Sequence, residues 1–108
     1  MNDQYIVVLI TTPGLEAAEK VARELLGKKL AACVNILPSV QSIFTWQGKT
    51  QDDREVLLLV KTRLSLFQEQ LVPAVQSVHP YEVPEIIALP ILAGSQNYLD
   101  WIAAETSA

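Results

Sequence analysis

The sequence predicts one α+β domain with the element order strand, helix, strand, strand, helix, strand, helix. Three observations carry this expectation. The hydrophobic period alternates between two and a helical spacing along the chain; two long strand-like segments meet at the tight Trp46–Lys49 turn; and 108 residues hold one core, without room for a second.

Each element has its own signal. "QYIVVLITT", rich in β-branched residues, predicts a buried strand, after which Thr12 and Pro13 match an N-cap followed by proline at the first helical position. Ala18, Val21, Ala22 and Leu25 then recur on one helical face, while Glu16/Lys20, Glu19/Arg23 and Glu24/Lys28 set acid before base on the other. Gly27, Lys28 and Lys29 close this helix. From Cys33 to Trp46 the period is two: Val34, Ile36, Val40, Phe44 and Trp46 are expected on one face, with a bend or an edge position near Pro38.

"WQGK" turns the chain, and "TQDDREVLLLVKT" returns as a strand charged in its first half and apolar in its second. Ser65 and Gln68 predict a capping box for a second helix, its inner face Phe67, Leu71, Ala74, Val75 and Val78, with Pro73 costing one backbone bond. "EIIALPI" predicts the fourth strand, and Ser95 caps a short helix with Tyr98, Leu99, Trp101 and Ile102. This order is the split-βαβ, ferredoxin-like arrangement with a long hairpin and one additional C-terminal helix, spanning residues 1–108 as a single domain without repeats or linkers.

The hairpin is too long for its own domain. Fourteen residues from Cys33 to Trp46 extend roughly 46 Å, whereas a compact chain of this size is about 34 Å across. Either Pro38 folds the strand back or its tip meets a neighbouring copy. The second is expected, because an exposed edge carrying Phe44 and Trp46 invites pairing.

Composition narrows the partners. Twelve acidic against eight basic residues give a net charge of -4, which opposes binding to a phosphate backbone, so nucleic acid is not an expected partner. The run "YIVVLI" lacks the length for a membrane span and the basic flank of a signal, and the expected compartment is the cytoplasm. Cys33 is the one cysteine, so no disulfide forms within the chain.

Functional groups concentrate in "VHPYEVPEI", residues 78–86. His79 reads either as a metal ligand, with Cys33 its obvious companion, or as a cap on the carbonyls ending the second helix. Cys33, between Ala32 and Val34, also suits the core, and a Cys33/His79 nucleophile lacks an identifiable orienting group. With Pro80 and Pro84 holding the segment extended, Tyr81 and Glu85 share a side and Glu82 points across, and Lys61 can join them at a small polar cleft. An inter-subunit lock is the structural alternative. Trp46 and Trp101 suit interfaces, while Asp52 and Asp53 suit either a hard cation or a solvated surface. No phosphate-cradling glycine loop, His-x-x-x-His or Gly-x-Ser-x-Gly is present, so no enzyme is expected.

"KKLAACVNILP", "SIFTWQGK", "EVLLLVKT", "HPYEVPEIIALPI" and "YLDWI" together resemble the CutA divalent-cation-tolerance family, over about Ile6 to Ile102. The resemblance implies a homotrimer shaped like the PII signalling proteins, with strands completed between subunits. It also implies a part in tolerance of divalent metal, copper above all, with Cu2+ or another divalent cation as the bound ion. Trp46, Lys61, His79, Tyr81 and Trp101 match residues that gather at the family's inter-subunit clefts. Some members carry further cysteines and a second histidine where this chain has Ile10, Ala74 and Val78, which leaves its chelating set incomplete. The expected function is therefore a non-enzymatic, trimeric metal-tolerance protein with His79 and Cys33 as candidate ligands. A PII-like sensor of a small ligand, or a protein-docking scaffold, using Trp46, Lys61, Tyr81, Glu85 and Trp101 is the alternative.

Overall fold

A computed structural model of the chain describes residues 3–106. Strand β1 (Tyr5–Thr12), helix α1 (Leu15–Gly27), strands β2 (Cys33–Trp46) and β3 (Lys49–Arg63), helix α2 (Val72–Val78), strand β4 (Ile86–Pro90) and helix α3 (Gln96–Glu105) follow in the expected order. The sheet order is β2-β3-β1-β4 with every neighbouring pair antiparallel, which is the ferredoxin-like topology.

Pleating divides the sheet residues. Ile6, Val8, Ile10, Val56, Leu58 and Val60 point to the face covered by α1 and α2, where they meet Ala18, Val21, Leu25, Leu71, Ala74 and Val75 in one buried core. The opposite face carries another apolar set. The cross-strand rows Leu59–Leu9–Ile87 and Lys61–Val7–Leu89 run over it, beside the pair Leu37–Leu57. Ile87 and Leu89 are each 49% exposed there. Helix α3 packs near the Arg63 end, where Arg63 donates to Thr106 Oγ1 over 2.8 Å and to the Thr106 carbonyl over 2.7 Å.

The hairpin makes the molecule long, 44 × 26 × 23 Å. Trp46 and Lys49 close it through Gln47 (φ 52) and Gly48 (φ 80), a two-residue turn whose left-handed backbone suits glycine at its second position. Pro38 lies where the ladder slips: Leu37 opposes Leu57 but Val40 opposes Glu55, so two residues of β2 face one of β3. Because β2 is an edge strand, proline's missing donor is tolerated. The bulge overturns one expectation. Val34 and Ile36 face the core, while Val40, Phe44 and Trp46 lie on the other face, since the extra residue inverts the alternation.

Local caps also differ from the expectations. Helix α1 starts at Leu15 with Gly14 as its N-cap, because the Thr12 hydroxyl donates to the Gly14 carbonyl and leaves Thr12 in the strand. Of the three acid–base pairs on that helix only Glu24–Lys28 forms a salt bridge, at 2.5 Å. The helix ends at Gly27, and Lys29, at φ 59, takes the left-handed position just after it. The expected capping box is absent: Ser65 bonds Asp3 with both its hydroxyl and its backbone N–H, and Leu64–Leu66 is a 3₁₀ turn. A π-wound stretch, Phe67–Leu71, precedes α2 and places Pro73 in its first turn. Ser95 occupies the N-cap of α3, but its hydroxyl makes no capping bond. Among the described residues no helix is long and apolar enough to cross a membrane.

Candidate functional site

The loop from α2 to β4 is anchored by His79. Its ring is buried, and the imidazole Nε2 lies 2.7 Å from the Thr11 carbonyl while Nδ1 lies 3.0 Å from the backbone nitrogen of Tyr81. A carbonyl only accepts and a backbone N–H only donates, so these partners select the neutral tautomer with hydrogen on Nε2. The expected cap on helix α2 is made by the His79 backbone N–H to Val75, not by the ring. Both ring nitrogens are occupied, Nε2 tying the loop to β1 and Nδ1 holding the backbone of Tyr81 within the loop.

Past His79 the chain does not run extended. It bends through Pro80–Val83, and Tyr81, Glu82 and Glu85 all line one pocket, which corrects the expectation that Glu82 points across. The Tyr81 ring tilts against His79, centroids 5.0 Å apart. Its hydroxyl donates to Glu55 Oε2 over 2.9 Å. Burial, then the Glu55 hydrogen bond and charge, and last the charge of Asp53, push the Tyr81 phenol up to about 12. Burial and the Glu55 carboxylate raise Glu85 as well.

The pocket encloses about 920 Å³ between this loop and the distal half of the hairpin. Phe44 and Trp46 reach it because the bulge turned them to this face, alongside Ser42, Gln51, Asp53, Glu55 and Thr11. Asp52 and Asp53 part company by strand alternation: Asp53 lines the pocket, whereas Asp52 accepts two hydrogen bonds from Gln41, at 3.0 and 3.1 Å. Four carboxylates, Asp53, Glu55, Glu82 and Glu85, line the wall, and among the described residues of the chain no lysine, arginine or histidine does.

Of the residues singled out in the sequence, Trp46, Tyr81 and Glu85 come together here. Lys61 and Cys33 do not; they are paired opposite each other at the far end of the β2–β3 ladder, where the Lys61 ammonium donates to Asn35. Trp101 stacks on Tyr98 of α3, centroids 5.4 Å apart, and the Tyr98 phenol is raised by burial and by the nearby Cys33. Glu55 and Thr11 are among the members that sequence reasoning missed. The available signal was parity: Glu55 alternates in step with Leu57 and Leu59, which sets it on the open face.

A divalent cation does not fit the residues expected to hold it. His79 has no free nitrogen, and Cys33 sits opposite Lys61, four ladder steps or roughly 13 Å along the sheet from Leu57, the partner of Thr11. Among the described residues no three His, Cys, Asp or Glu side chains converge as a metal set.

Comparison with known proteins gives one consistent answer. The profile of the family described as "CutA1 divalent ion tolerance protein" matches residues 6–105. The "Divalent-cation tolerance protein CutA" of Thermus thermophilus is 51% identical over 100 residues, covering 93% of this chain and 96% of that protein. "Protein CutA, chloroplastic" of Arabidopsis thaliana is 50% identical over 101 residues, and there the chain covers 94% of itself but spans only 55% of the relative. Among solved structures, the Thermus thermophilus divalent cation tolerance protein superposes with a TM-score of 0.92 at 50% identity, covering 95% of this chain and 99% of that one. CutA1 from Oryza sativa gives 0.91 at 46% identity, covering 96% and 94%. With the fold and nearly the whole sequence in agreement, the chain belongs to the CutA1 divalent ion tolerance family.

Proposed function

We propose that the protein serves divalent-cation tolerance, copper included, as a non-enzymatic homotrimer that recognises a small ligand in the pocket beneath its hairpin rather than chelating the ion through His79 and Cys33. The observation that carries this reading is the pocket itself: about 920 Å³, with aromatic and acidic walls, is the size of a small-molecule site and far larger than an ion. Trimerisation is supported by the apolar sheet face, which α1 and α2 leave uncovered and which runs on to the pocket side of the hairpin. Lys61 and Trp101, remote from the pocket in one chain, join it in this reading only where a neighbouring subunit brings them.

Native mass spectrometry of metal-stripped protein, followed by titration with copper and zinc, tests the proposal. The expected result is a trimer that takes up neither metal stoichiometrically. Stoichiometric copper that disappears in His79→Ala would overturn it in favour of direct metal binding, and a monomer would remove the assembly.

A further inference from the structure

We draw no further inference here: the strongest candidate, the cleft of about 300 Å³ on the helical layer between α1 and α2 lined by Lys28, Gln70 and Ser77, carries nothing, because the Lys28 ammonium is already paired with Glu24, the Ser77 hydroxyl already donates to the Ala74 carbonyl, and no described group there points to a ligand.

Discussion

The hydroxyl of Tyr81 donates to Oε2 of Glu55 over 2.9 Å, joining the loop after α2 to the hairpin across the floor of the pocket. Tyr81 is itself held from behind, since its backbone N–H is given to His79, whose ring is fixed on the Thr11 carbonyl. Three segments far apart in sequence are thus tied in one chain of hydrogen bonds, and each link is needed to aim the next.

Removing that hydroxyl tests the chain of bonds. Tyr81→Phe leaves the buried Glu55 carboxylate without its donor and should destabilise the protein by about 1–3 kcal/mol in denaturant unfolding near pH 7. The pH dependence has a definite sign. The phenol is raised from 10.0 to about 12, so the folded state holds its proton more tightly than the unfolded chain. The stability it adds is complete below pH 10 and is lost as pH rises from there towards about 12. The difference between wild type and Tyr81→Phe should shrink across that window; a constant difference would mean that the hydroxyl is not coupled to Glu55.

Glu85 predicts a gain. Its carboxyl is raised above 4.5 by burial and by Glu55, so its contribution is full below pH 4.5 and is lost as pH rises through the folded value. At neutral pH the ionised group therefore opposes folding. Glu85→Gln should raise the unfolding free energy at pH 7, by less than about 1 kcal/mol because the side chain is partly solvated, and should give no gain once pH falls below 4.5. Equal effects at both pH values would remove the Glu55–Glu85 repulsion from the account.

Leu59 lies at the middle of the uncovered sheet face, opposite Leu9 and flanked across the sheet by Ile87. Leu59→Lys places a charge where subunits are proposed to meet and should convert the proposed trimer to monomer at micromolar concentration, with the far-ultraviolet circular dichroism of the subunit retained. Light scattering reads the outcome, and a variant that stays trimeric would move the interface elsewhere.

Lys29 holds φ 59 just after α1, a region that costs a residue with a Cβ about 1–2 kcal/mol. Glycine relieves that cost but loses more entropy on folding, so Lys29→Gly should stabilise by roughly 0.5–1 kcal/mol. Thermal melts are sufficient to check this, and a destabilised variant would show that the lysine side chain contributes more than its backbone costs.

Much of the fold was legible in the sequence because its signals are local. The hairpin strand was read as Cys33 to Trp46 and is found there, since the period-two run ends at Gln47 and Gly48, the two residues that turn the chain. Helix starts were less legible: Thr12, Ser65 and Ser95 are all good caps by type, yet Thr12 turns to Gly14, Ser65 to Asp3, and Ser95 makes no capping bond. A hydroxyl chooses among acceptors by proximity, and proximity is tertiary.

The candidate site divides in the same way. Tyr81 and Glu85 were found because two prolines and a histidine mark their segment, and Trp46 because it stands at the turn. The side of the sheet on which Trp46 lies required the bulge at Pro38, and the importance of Glu55 required the loop that buries it.

The amino-acid order alone determined the number, kind and succession of the elements, the length of the hairpin and the acidic balance of the chain, because these follow from period, turn chemistry and composition. The folded structure decided which face Phe44 and Trp46 occupy, that His79 spends both nitrogens on the backbone, and that Glu55 accepts the Tyr81 hydroxyl. Each of these depends on a single inserted residue or on atoms brought within 3.0 Å from distant segments, and a one-dimensional pattern carries no measure of that distance.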